Sequence, residues 1–245
     1  MFDETTTRCN AWTIAGRRCR STLVAASSTV LLSACGTDLF KADFEADIVG
    51  SRPSMSPAGP PTGDMIRVWI AEPDNLVVIA DGINSQSLLY SYQPSLSQVD
   101  FIGIETGRDA TEFWAAWNGR AEQFSAATPS LNFSVGNFNA GVASLEIAAG
   151  EFVAAGERLG AVLPGETHTV VMHVDAAAGT YTVSIFQPRG GNLASSARML
   201  RSRGLIPGDR VFDIAMFYDV VPSLNDPASY VIDDILITEE EPETP

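Results

Sequence analysis

Apolar positions in this chain fall in short runs, many of them alternating with polar residues, and the runs are separated by Gly, Pro, Asn and Asp. They read as strands at Met65–Ile70, Leu76–Asp81, Ser87–Gln93, Val99–Glu105, Thr111–Asn118, Leu131–Phe138, Ala143–Ala148, Arg158–Val162, Thr167–Asp175, Thr180–Gln187, Ala194–Arg201, Arg210–Tyr218 and Tyr230–Thr238. An earlier run, Phe44–Val49, predicts the first strand. Val, Ile, Phe, Tyr and Thr dominate, as a pleated, half-buried surface favours. The alternation is clearest where Val170, Met172 and Val174 interleave with Val171, His173 and Asp175. Asp175-Ala-Ala-Ala-Gly179 then joins that run to the next, which predicts a hairpin. Ala148–Gly156 permits a helix, though its glycines argue against a long one. The pattern as a whole predicts an all-β, antiparallel sandwich.

The two ends differ from this body. Gly50–Gly63 is rich in Pro, Gly and Ser and reads as a loop. Glu239–Pro245 is acidic and reads as a disordered tail. Near the start, Arg17-Arg18-Cys19-Arg20 precedes an apolar run, Thr22–Leu32, and then small residues ahead of Cys35. That order is an export signal, with an apolar segment too short to span as a mature helix. Leu32-Ser33-Ala34-Cys35 resembles the lipobox of bacterial lipoproteins. The resemblance implies cleavage before Cys35, lipidation of its thiol, and anchoring in the bacterial cell envelope. With Gly36 after the cysteine, it implies the outer membrane. Several acyl chains, each burying many CH₂ groups, would hold far more firmly than one. The expected division is a signal peptide over 1–34, removed on export, a lipidated tether over 35–43, a sandwich over 44–238 and the tail over 239–245.

Charge and cysteine content narrow the function classes. Removing the leader's four arginines and two carboxylates from 15 basic and 30 acidic residues leaves 11 and 28, a net of −17. Such a surface repels phosphate backbones, so no nucleic acid is expected as a partner. Cys9 and Cys19 lie in the leader, which leaves the mature chain only the thiol assigned to lipid and none for a disulfide.

His168–Asp175 with Thr180–Phe186, Phe113-Trp-Ala-Ala-Trp-Asn-Gly119, and Tyr230–Ile237 together resemble the paired and closing strands of concanavalin A-like and laminin-G-like jelly rolls. That fold hosts many functions, carbohydrate binding among them. In such jelly rolls an early Phe-Glu and a late Asp-Asp often meet, here Phe44-Glu45 and Asp233-Asp234. One reading is a structural Ca²⁺ held by Glu45 and one of the two aspartates, Asp233 or Asp234, with loop carbonyls, because buried carboxylates need a partner and Ca²⁺ takes oxygen ligands. Hydrogen bonds or an arginine would satisfy them equally well. On a regular strand the two aspartates point to opposite faces.

Trp114 and Trp117, three apart, should also face opposite ways, one in the core and one available to stack on a sugar ring. His168 and His173, five apart, cannot share a metal. No carboxylate pair at glycosidase spacing and no nucleophile, phosphate or dinucleotide motif is present, so no catalytic residue is named. The reading is a lipid-anchored envelope module that binds a ligand, carbohydrate foremost. The alternative is a structural lipoprotein that docks on an envelope protein. A glycan hydrolase or lyase would need converging carboxylates or a His–Tyr pair in a cleft.

Overall fold

The computed structural model describes residues 38–53, 65–69, 76–82, 85–92, 101–124, 129–137, 140–200, 205–206, 210–211, 214–219 and 228–243. The leader and Cys35 lie outside the described residues, as do the side chains of Trp69 and Tyr92. The described regular structure is all strand: β1 Asp38–Ala42, β2 Met65–Trp69, β3 Leu76–Ala80, β4 Gln86–Tyr92, β5 Phe101–Glu105, β6 Glu112–Gln123, β7 Pro129–Asn137, β8 Ala140–Ala148, β9 Glu151–Ala154, β10 Glu157–Ala161, β11 Thr167–Asp175, β12 Thr180–Gln187, β13 Gly191–Ala194, β14 Arg198–Met199, β15 Leu205–Ile206, β16 Arg210–Val211, β17 Ile214–Asp219 and β18 Ala228–Thr238.

Two antiparallel sheets carry the core. One runs β13-β12-β11-β6-β18-β4-β3, with β1 also on β18 and β14 on β12; the other runs β10-β9-β8-β7-β17-β5-β2. Inward side chains interdigitate between them. Trp117 of β6 lies 5.1 Å from Phe133 of β7 between ring centroids, and Tyr230 of β18 lies 4.9 Å from the same ring. Trp117, Phe133, Tyr230, Phe113 and Phe152 are each 1% exposed or less. At roughly 25 cal/mol per Å² of apolar area removed from water, such rings are a main source of folding free energy.

Several strands coincide with the sequence pattern, β11 and β12 to the residue. The first does not. The chain enters the sandwich at Asp38–Ala42, where a tether was expected, and β1 pairs with β18 from Asp38↔Thr238 to Ala42↔Ile235. Phe44–Val49 is a turn region with Ile48 and Val49 exposed. The helix possible at Ala148–Gly156 is replaced by two tight hairpins. Ala149-Gly150 and Ala155-Gly156 all have positive φ (52°, 78°, 45° and 84°), the signature of two-residue type I′ turns, and β9 lies between them. The glycines enter this left-handed region without steric cost, and each alanine is carried there by its turn. The acidic tail is placed as far as Glu243, with Pro242 buried.

One irregularity shapes the site. Between Asp233↔Asn118 and Leu236↔Ala116 of the β18–β6 pairing, β18 carries one extra residue, a β-bulge. Asp234 takes it up in the left-handed region, φ 48°. The bulge reverses the alternation. Tyr230 and Ile232 are buried before it, Ile235 and Ile237 after it.

Candidate functional site

β6 and β11 place alternate residues on the two faces of the larger sheet. Trp117, Gly119 and His168 point inward, while Trp114, Asn118, Thr169 and His173 point outward. Both faces carry a chain of polar contacts.

Inside, Trp117 Nε1–H donates to Tyr230 Oη (3.3 Å), and Tyr230 Oη lies 2.7 Å from His168 Nε2. His168 also hydrogen-bonds the backbone of Glu166, yet burial outweighs this and lowers its pKa to about 4. The imidazole is therefore neutral, with Nε2 accepting the Tyr230 proton. Burial pushes the Tyr230 hydroxyl well above its ordinary range. This His–Tyr pair is the kind a lyase would use, but His168 is 2% and Tyr230 0% exposed, and Phe152 closes edge-on over the imidazole at 5.0 Å. No substrate reaches it without opening the sandwich, and the pair ties β11 to β18 across β6 on the inner face of one sheet.

Outside, Asn118 Nδ2 donates to Asp234 Oδ2 (2.8 Å), and Thr169 Oγ1 donates to Asn118 Oδ1 (2.7 Å). Thr169 borders a groove of about 420 Å³ whose other walls are Thr167, Phe186, Gln187, Pro188 and Asn192. Gln187 follows the inward alternation of Ile185, and its side-chain amide donates away from the outer face to the Ala161 carbonyl of the other sheet at 3.0 Å. Phe186 packs on a small apolar patch of Val171, Ala116 and Leu236, and Trp114 packs on the same patch. The outer face thus offers an aromatic ring, an apolar floor and several hydroxyl and amide groups.

Of the two tryptophans singled out by sequence, Trp117 is enclosed between the sheets, out of reach of a ligand. Trp114 is half-buried on the outer face and stacks on His173 at 4.4 Å and 7° between ring planes. His173 Nε2 in turn lies 2.9 Å from Glu112 Oε1.

The structure does bring Glu45, Asp233 and Asp234 together, because β1 and β4 share one edge of β18. Asp233 and Asp234 do not face opposite ways as expected, since the bulge turns both towards outer-face partners. Asp233 Oδ2 lies 3.3 Å from Ser87 Oγ, and its Oδ1 accepts from the Asp234 amide at 2.8 Å. Glu45 Oε1 accepts from the Gln86 amide at 3.0 Å. Burial first, then the charges of Asp234 and Glu45, raise the Asp233 pKa to about 7. Gln86 Oε1 is buried beside them without a donor. These are the hard oxygens calcium prefers, but protein donors already occupy the carboxylates, and among the described residues no three acidic, histidine or cysteine side chains converge as ligands.

Thr169, Phe186, Gln187 and Asn192 were missed in the sequence, where they look like ordinary strand and turn residues. Only the register of β11 against β6 and β12 makes them neighbours.

No family model and no curated protein sequence matches the chain. Solved structures do. A lectin, UEA-II complexed with galactose, is similar at 9% identity and TM-score 0.51, over 82% of this chain and 99% of its own. Lotus tetragonolobus seed lectin is similar at 8% identity and TM-score 0.50, over 81% and 99%. A sialidase is similar at 12% identity and TM-score 0.49 over 69% of this chain, which spans 17% of that protein's length. At these identities the likeness is one of fold: the chain is a concanavalin A-like jelly-roll sandwich of the legume-lectin type.

Proposed function

We propose that this protein is a lipid-anchored carbohydrate-binding module of the bacterial cell envelope. The observation that carries the binding role is the groove beside Phe186. It joins an aromatic ring to uncharged hydroxyl and amide groups, which suits the apolar faces and hydroxyls of a sugar. A sandwich of the lectin type supports the same reading. The lipobox supports the anchor, with Cys35 as the acylated residue.

A glycan array probed with the full chain tests the binding role. Phe186→Ala should lower retained signal at least tenfold while the domain stays folded. An array without hits, or a Phe186→Ala variant that binds as the parent does, overturns it; the first outcome favours docking on an envelope protein. The anchor is tested separately. Cys35→Ala should lose incorporated labelled fatty acid and move to the soluble fraction. Label retained in that variant rejects lipidation at Cys35.

A further inference from the structure

We infer that the groove selects neutral, hydroxyl-bearing glycans and discriminates against their carboxylate- or sulfate-bearing counterparts, an inference that rests on the carbohydrate-binding reading above. The argument starts at Asp234. Its carboxylate can only accept, so the Asn118 group facing it at 2.8 Å must be the amide NH₂. That orientation turns Asn118 Oδ1 towards Thr169. An amide oxygen also only accepts, so the single hydroxyl proton of Thr169 is committed to it at 2.7 Å. What Thr169 shows to the groove is therefore lone pairs alone. A ligand O–H can donate to them. An ionised carboxylate or sulfate has no proton to donate and would meet them as a repulsive acceptor.

The surroundings lean the same way. None of the six lining residues is charged. Arg189, next to Pro188, is engaged by Glu166 at 2.9 Å. Beyond the leader the chain carries a net charge of −17, the sum of 11 basic and 28 acidic residues, which repels anions at long range. Thr167 and Asn192 can donate or accept, so the discrimination falls on Thr169.

Salt separates the long-range effect from the local one. At 1 M the Debye length is about 3 Å, which removes the global repulsion and leaves the hydrogen-bond polarity. The experiment titrates the full chain, purified in detergent, with matched pairs of neutral oligosaccharides and their C6-oxidised uronic forms, at 0.1 M and 1 M salt. The neutral member should bind at least tenfold more tightly at both. Thr169→Val, which keeps the β-branched shape, should weaken the neutral member about tenfold, the loss of one hydrogen bond with an unpaired ligand donor. Thr169→Ser should restore it. Uronic forms that bind as tightly as neutral ones at 1 M salt overturn the inference. So does a Thr169→Val variant that binds normally while Phe186→Ala does not, a result that would leave the groove as the binding site. Absence of binding by every oligosaccharide rejects the carbohydrate reading itself.

Discussion

Two hydrogen-bond chains run across the same three strands and differ in one respect. Trp117–Tyr230–His168 lies on the inner face of β6, β18 and β11; Asn118, Asp234 and Thr169 lie on the outer face of the same strands, in two cases one residue further along. The inner chain is closed: its indole N–H, phenol and imidazole have partners within the core. The outer chain is open, ending on Thr169 at a groove. The period of two in a strand makes this separation possible, since consecutive residues serve opposite faces. A closed chain in low dielectric stabilises and specifies the fold, whereas an open one leaves hydrogen-bonding capacity for a ligand. Changes on the inside should therefore move stability, and changes on the outside should move binding.

The largest effect is expected at Gly119. A methyl group there would sit 1.7 Å from Tyr230 Oη and 2.4 Å from its ring carbon, positions no real contact allows. Tyr230 is fully buried and has no exposed side towards which to move. Gly119→Ala should cost about 3 kcal/mol or more, at or above the upper end for overpacking, read by urea denaturation. Adding Tyr230→Phe should recover part of that loss, because it removes the nearest of the three clashing atoms. A Gly119→Ala variant as stable as the parent would mean that the inner face is not closed around Tyr230.

Tyr230→Phe alone comes next. It strands the Trp117 indole N–H and His168 Nε2 without a partner in the core, a loss of about 1–3 kcal/mol. Glycan binding to the folded protein should be unchanged.

Acid should push the two faces in opposite directions. His168 has a folded pKa of about 4, below its unfolded value. Its contribution is complete above pH 6.5 and is lost as pH falls towards 4. Asp233 has a folded pKa of about 7, above its unfolded value. Its penalty is complete above pH 7 and is relieved as pH falls towards 4. Between pH 6.5 and 4 the two slopes oppose each other. Asp233→Asn should therefore make the thermal midpoint fall more steeply on acidification, and His168→Gln should flatten or reverse the fall. Identical pH profiles for parent and both variants would remove the basis for the contrast.

The inner face was far more legible in the sequence than the outer one. The β11–β12 hairpin could be read to the residue because alternation and the Asp175–Gly179 turn agree. The meeting of Glu45 with Asp233 was implied by the jelly-roll resemblance, although Glu45 lies in the turn after β1 and not in the first strand. β1 was missed because Asp38–Ala42 is only five residues long and follows directly on a stretch that reads as a leader. β9 was missed because its flanking alanines adopt positive φ, a conformation their residue type does not advertise. The bulge at Asp234 carries no sequence mark, yet it decides which way both aspartates face. The groove depends on cross-strand register, which puts Thr169 opposite both Asn118 and Phe186. Register is set by the whole sheet, so no local motif announces it.

The smallest expected effect on stability is also the sharpest test of the open chain. Asp234 is exposed and adopts φ 48°, a region asparagine tolerates well. Its charge is second only to burial in raising the Asp233 pKa. Asp234→Asn therefore removes a repulsion that is felt most when Asp233 is ionised. The thermal midpoint should shift by the equivalent of no more than about 0.5 kcal/mol, and upward at pH 8 more than at pH 5. The effect on recognition should be larger. An asparagine at 234 can either donate or accept, so the Asn118 amide is no longer held in one orientation and can turn its NH₂ towards Thr169. Thr169 would then accept from Asn118 and be free to donate into the groove. The preference for neutral over C6-oxidised oligosaccharides should narrow, with little change in affinity for the neutral member. If that preference survives Asp234→Asn intact, the carboxylate does not set the polarity of the outer chain, and Thr169 must be oriented by something other than Asn118.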